Sequence, residues 1–370
     1  MTLKLKPLDR QVMVITGATS GIGLSTARAA AARGATLMLA ARNEEALKSV
    51  CDDLAGKGAK TAYVVADVGV ESEVRAIAEA AIARFGGFDT WVNDAGVSIF
   101  GEIVKTPLAD QRRLFETNYW GVVYGSLIAV EHFRDRPGGG ALINLGSVLG
   151  DLAIPLQGAY SASKHAVKGF TNVLRMELMR EGAPVSVTLI RPSAIDTPYK
   201  DHARNLTGAP VKNPAPVYAA PLVAQAILYA AEHRTRELSV GAAGPILAAL
   251  GAIAPMLAEP ILAWAAPMLQ RDEEGRRGTR TDNLHQAGQD LRERAYYKGV
   301  RESSLFSAAQ MRPKATMALA VLAGLAAGAA FLGGRKLGRG AEPSPAPEPR
   351  VRQSLAARFG FDGWGVHPAP

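Results

Sequence analysis

The chain has 370 residues, 48% of them hydrophobic, and a formal net charge of +8. That excess is not a nucleic-acid footprint: residues 271–314 hold ten basic against seven acidic side chains and 335–370 six against three, so only +2 is left elsewhere, with no basic groove of interleaved aromatics on the core. The single cysteine, Cys51, excludes an internal disulfide and fits a reducing compartment.

The first seven residues, Met1-Thr2-Leu3-Lys4-Leu5-Lys6-Pro7, carry no apolar h-region, so no secretory signal is expected. A β-branched run at 12–16 predicts the first strand. It leads into Gly17-Ala18-Thr19-Ser20-Gly21-Ile22-Gly23 and an Ala-rich helix over 22–33. Strand, glycine turn and helix are the context of a dinucleotide site: Gly17 for a tight turn, Gly21 for backbone approach to a pyrophosphate, Gly23 for close helix packing. Ser20 and Ile22 lie at the helix N-terminus, whose N–H groups favour phosphate.

A second strand over 36–40 precedes Ala41-Arg42-Asn43 and a helix over 43–56. An acid in that turn would bind a ribose 2′-hydroxyl, whereas arginine suits a 2′-phosphate; Arg42 therefore makes NADP(H) the expected cofactor, with NAD(H) left open. Strands at 61–66, 89–93, 141–146 and 185–190 alternate with helices at 71–85, 108–134, 158–181 and 217–232, and 237–240 adds a seventh strand. Such alternation predicts an α/β fold, a doubly wound parallel sheet of about seven strands in the Rossmann manner. The connection 193–216 holds four prolines, and so long a loop in a compact domain is usually functional.

Tyr160 and Lys164 share one face of the helix over 158–181, thirteen residues beyond Ser147. A tyrosine is a poor base at neutral pH, and a neighbouring ammonium lowers its pKa towards the working range. Ser147 is placed to hold a substrate oxygen beside it. With 9 tyrosines, chance supplies about 0.3 Tyr-x-x-x-Lys pairs in such a chain, so the surrounding motifs decide.

Those motifs resemble the short-chain dehydrogenase/reductase family over roughly residues 8–245. Thr16 to Gly23 matches its glycine signature, and Ser147, Tyr160 and Lys164 its catalytic trio. Asn93-Asp94-Ala95-Gly96 is similar to the family's Asn-Asn-Ala-Gly, Asn118 falls where the family keeps a relay asparagine, and Arg191-Pro192-Ser193 stands where Pro-Gly is usual. The resemblance implies that Asp67 contacts adenine and that Asn93, Ala95, Gly96, Ile195 and Thr197 line the cofactor. It implies that Lys164 holds the nicotinamide ribose and depresses the Tyr160 pKa, that Asn118 positions a water returning the proton, and that the 193–216 connection closes over the substrate. Two departures count: Asp94 for the second asparagine and Ser193 for glycine.

Past residue 245 the resemblance ends, and a mostly helical extension is expected over 246–312. Its apolar start, 241–269, is broken by Pro245, Pro255, Pro260 and Pro267, which argues against a spanning helix. It suits a membrane-surface or substrate-entry element, with Trp264 as an interfacial anchor, or alternatively dimer or core packing. Residues 315–334 are uncharged for twenty positions, long enough to cross a bilayer, and contain Gly324-x-x-x-Gly328; a soluble packed helix is the alternative. A Pro-rich tail, disordered in expectation, fills 335–370. The six histidines show no metal-ligand spacing, so no metal is expected.

The expected protein is an NADP(H)-preferring oxidoreductase interconverting a lipophilic alcohol and its carbonyl, with Tyr160 as general acid/base. The resemblance also implies self-association as dimers or tetramers. Its catalytic domain is expected in the cytoplasm, held at a membrane through the C-terminal segment. Two other readings stay open: a non-catalytic nucleotide-binding scaffold or sensor at a membrane, and a sugar-nucleotide epimerase or dehydratase, which shares Tyr-x-x-x-Lys but not this glycine spacing.

Overall fold

A computed structural model of the chain describes residues 3–272, 282–288, 291–312 and 316–317. Seven strands form one parallel sheet: β1 (Val12–Thr16), β2 (Thr36–Ala41), β3 (Thr61–Val65), β4 (Thr90–Asn93), β5 (Gly140–Leu145), β6 (Val185–Pro192) and β7 (Glu237–Val240). Their order in space is β7-β6-β5-β4-β1-β2-β3, so the winding reverses between β1 and β4. Each predicted strand is present within one or two residues of its expected ends.

Alternation of side chains along the strands builds two cores. Met13 and Ile15 of β1 face helices α1 (Gly21–Ala32), α2 (Glu44–Gly56) and α7 (Ala220–Glu232), packing with Leu24, Leu47 and Val223. Val14 faces the other way, towards α3 (Glu71–Phe85), α5 (Gly121–Arg134) and α6 (Gly158–Glu181), among Ile77, Trp91, Phe133 and Leu178. Coverage on both faces explains why these strands read as continuous apolar runs. Each fully buried Leu, Ile or Phe contributes about 1.5–3 kcal/mol.

The helix expected over 108–134 is three elements. α4 (Leu108–Phe115) passes into a π turn at Glu116–Trp120 before α5 begins. The widened turn coincides with Asn118, fully buried, whose amide accepts from Val97 N at 2.8 Å and donates to Val97 O at 2.9 Å. Bulges of this kind are frequent at functional sites.

Residues up to Pro313 form one compact unit and Lys314–Pro370 a second. The extension begins with α8 (Ala243–Ile253) and α9 (Pro255–Leu269). After Arg301 a short helix α10 (Leu305–Gln310) meets β7, where Gln310 accepts from Ser239 N at 3.0 Å and donates to Ser239 O at 2.9 Å. The extension is thus helical only in part; between α9 and α10 the described residues run without regular structure. No helix among the described residues is long and apolar enough to cross a membrane. The uncharged stretch 315–334, Thr316 and Met317 aside, and the tail 335–370 lie outside the described residues.

Candidate active site

The cleft opens at the C-terminal ends of the strands where β1 and β4 part, the position at which doubly wound sheets take ligands. Gly17 sits at φ 72, and a Cβ there would come 2.8 Å from the Ala95 backbone. A Cβ on Gly23 would meet Gly17 O at 2.2 Å, so α1 can lie this close to the turn only with glycine at that position. Thr16 Oγ1 accepts from Asp94 N at 3.1 Å and Ala95 N at 3.2 Å, tying the ends of β1 and β4 together.

One cavity of about 420 Å³ runs along this cleft. Its lining brings together Gly17, Ser20, Gly21, Ile22, Arg42, Asp67, Ala95, Gly96, Ser147, Tyr160, Lys164, Ile195 and Thr197, residues singled out in the sequence. Gly23, Asn93 and Asn118 do not line it. Asn93 is buried and donates to Asn144 Oδ1 at 2.9 Å, within a polar cluster that also takes in Ser126. Asn118 also donates to Ser163 Oγ at 3.2 Å, one turn from Tyr160 on α6, so all its described bonds go to the chain itself.

Ser147 caps a short 3₁₀ turn, accepting from Leu149 N at 3.1 Å, and lines the same cavity as Tyr160. Burial pushes Tyr160 up to about 12, opposed by the neighbouring Ser147 and Tyr199 hydroxyls, which favour the phenolate. The direction is opposite to the depression expected from Lys164. That ammonium lies 5.7 Å from the Tyr160 ring centroid and donates to Leu145 O at 2.8 Å. Burial lowers Lys164 to about 8, opposed by the charge of Asp94. Asp94 in turn is raised to about 7 by burial, opposed by Lys164 and the Gly23 N–H. The asparagine-to-aspartate departure thus places an acid against Lys164.

Sequence reasoning missed three polar neighbours. Tyr199, whose ring meets Tyr160 edge-on at 5.6 Å, has its hydroxyl 2.6 Å from Ser98 Oγ and 2.8 Å from Gln157 Oε1. Gln157 donates to Gln270 Oε1 at 2.8 Å, and Gln270, fully buried, comes from the end of α9. None of the three has a spacing signal. The apolar part of the lining includes Val148, Leu149, Leu152, Leu262 and Leu269. The outer sides of α8 and α9 leave Ile253, Met256 and Trp264 exposed at 81%, 87% and 71%.

The extension also reaches the glycine turn. Arg42, expected to face a phosphate, donates to the carbonyls of Asn283 and, at 3.1 Å, Gln286. Asn43 donates to Gly288 O at 3.0 Å, and Gly21 N donates to Arg292 O at 2.9 Å. Asp67 pairs with Arg113, which also donates to Leu284 O at 3.1 Å.

A doubly wound sheet with this glycine turn and this serine, tyrosine and lysine is the architecture of the short-chain dehydrogenases. The model of that family, short chain dehydrogenase, matches residues 11–206, and the chain belongs to it as an oxidoreductase. Among particular relatives, it is 46% identical over 330 residues to the uncharacterized oxidoreductase YxnA of Bacillus subtilis (strain 168), covering 89% of this chain and 92% of that one. It is 33% identical over 262 residues to dehydrogenase/reductase SDR family member 7B of Xenopus tropicalis, 68% of this chain and 84% of that one. Among solved structures, a short chain dehydrogenase/reductase from Burkholderia phymatum in complex with NAD matches with TM-score 0.62 and 28% identity, over 68% of this chain and 96% of that one. An alcohol dehydrogenase from Thermococcus sibiricus complexed with 5-hydroxy-NADP matches with TM-score 0.55 and 25% identity, over 62% of this chain and 95% of that one.

Proposed function

We propose that this oxidoreductase transfers a hydride between NAD(P)(H) and a lipophilic alcohol/carbonyl pair, with Tyr160 as the acid/base. The observation that carries this reading is the meeting of Ser147, Tyr160 and Lys164 with the glycine turn in one cavity. The tight turn at Gly17, the close approach at Gly23 and the N-terminus of α1 fit a dinucleotide pyrophosphate. A bound nicotinamide supplies or accepts the hydride.

The side chains supply the rest. Ser147 and Tyr160 hydrogen-bond the substrate oxygen. In the reductive direction Tyr160 Oη gives its proton to that oxygen. A hydroxyl raised to about 12 stays protonated at neutral pH and so carries the proton to be given, while its release has to be helped by positive charge nearby. Lys164, fixed on Leu145 O and balanced by Asp94, places positive charge behind the tyrosine as it becomes phenolate. Asn118, bonded to Val97 and Ser163, would brace α6 one turn from Tyr160.

Arg42 and the lack of an acid in the turn 41–43 favour NADP(H) over NAD(H). The leucine- and valine-rich lining supports a lipophilic substrate, and the exposed apolar sides of α8 and α9 support delivery from a membrane surface. The test is NADPH- and NADH-linked turnover of a panel of lipophilic ketones and aldehydes. Tyr160→Phe is expected to abolish turnover with cofactor affinity largely retained; wild-type turnover by that variant would sink the assignment.

A further inference from the structure

The residues crossing the adenosine end of the cleft are backbone rather than side chain. Carbonyls of Asn283, Leu284, Gln286 and Gly288 accept from Arg42, Arg113 and Asn43, and the Arg292 carbonyl accepts from Gly21, the residue at which a pyrophosphate would pass. Leu284 is fully buried and packs with Val97, Leu114 and Ala159 beneath the crossing. Polar contacts flank it: the Asp282–Arg204 ion pair at 3.1 Å, the Arg292–Asp201 ion pair at 2.9 Å, and His285 Nε2 within 2.8 Å of Asp110 Oδ1. Asn283, Ala287 and Gly288 line the same cavity as Gly17 and Tyr160.

We propose that residues 283–288, together with Arg292, are cofactor-site residues: they form the outer wall of the adenosine pocket, and this wall must swing away before the dinucleotide can leave. The proposal rests on the reading of the cleft as an NAD(P)(H) site. Leu284 is the positioning residue, because its side chain pins the wall while its carbonyl engages Arg113. Three basic or amide side chains rooted at the ends of β2 and in α4 hold the wall by its carbonyls, so those contacts do not read the side chains at 283 and 286. That explains how a segment with no recognisable motif completes a site defined elsewhere by motifs.

The experiment is stopped-flow fluorescence of reduced-cofactor release from the full chain, in wild type, Leu284→Ala and Leu284→Asp. Leu284→Asp is expected to release NADPH or NADH about tenfold faster or more, and Leu284→Ala to fall between it and wild type. Reduced nicotinamide mononucleotide, which lacks the adenosine half, is expected to leave all three at one rate. Dinucleotide release from Leu284→Ala within about twofold of wild type overturns the wall. So does an equal acceleration of the mononucleotide, which would mark a general loosening of the site. Failure of wild type to bind either dinucleotide overturns the reading of the cleft and the wall with it, whereas binding with unchanged release overturns the wall alone.

Discussion

Asp94 shows how one substitution alters a familiar site. Between the ordinary carboxylate value of 3.8 and about 7, the folded chain keeps a proton that the unfolded chain loses, so this group costs stability as pH rises through that window. Asp94→Asn has no such proton. Its urea midpoint is expected to exceed wild type at pH 8, with the advantage shrinking towards pH 4; an advantage equal at both pH values would show that Asp94 does not titrate there. Arg42 offers a second test. Removing a charge-assisted contact worth about 1.5–3 kcal/mol should raise KM for NADPH roughly tenfold to a hundredfold in Arg42→Ala and move KM for NADH less. Equal changes for both cofactors would make Arg42 an anchor for the 283–286 carbonyls and not a phosphate receptor. Gly17, Tyr160 and Lys164 were legible because a tight turn and a four-residue spacing on one helix face are local features, whereas Ser147 came with the family resemblance. Tyr199, Gln157 and Gln270 were not, since the connection after β6, the segment before α6 and the end of α9 bring them together only in three dimensions.

Among the elements, the strands and most helices could be read from apolar periodicity, while the break in the long helix could not. The π turn at Glu116–Trp120 depends on Asn118 reaching Val97, a partner twenty-one residues away with no local signature. Helices α8 and α9 arise from the opposite circumstance. Their prolines suggested interruption; the structure places Pro255 at a helix start, where its missing N–H costs nothing, and accommodates Pro260 and Pro267 within α9. Ile253, Met256 and Trp264 remain exposed. Co-sedimentation of the full chain with phosphatidylglycerol-containing vesicles is expected to fall when Ile253→Glu and Met256→Glu are combined. Unchanged pelleting would remove these helices from the membrane reading and leave the segment beyond Pro313 to carry it.

At the scale of the whole molecule, the family domain is knitted to the C-terminal extension. Gln270 is bonded to Gln157, Leu284 fills a core beneath the cleft, Asp196 accepts from Arg294 at 2.9 Å, and Ser307 accepts from Gly241 N at 3.1 Å. A chain ended at 245 would leave those groups unpaired and apolar surface bare, at roughly 1–3 kcal/mol for each lost burial or buried hydrogen bond. It is expected not to accumulate as folded protein. A chain of residues 1–312 keeps all of these contacts and is expected to match full-length turnover and thermal midpoint; a comparison of the two chains in membrane fractions then reports on residues 313–370 alone. Insolubility of 1–312, or full activity of 1–245, would show that the unit ends elsewhere.

The amino-acid order by itself determined the alternation of strands and helices, the glycine turn and the placing of Tyr160 and Lys164 on one helix face, because each is written in neighbouring residues through a period of two, a period of 3.6, or a tight turn only glycine permits. The tertiary structure decided what surrounds them. Burial, not Lys164, dominates the proton affinity of Tyr160. The carbonyls bonded to Arg42 come from more than two hundred residues away. Both depend on which distant segments exclude water from the cleft, and that is a property of packing with no trace in local sequence.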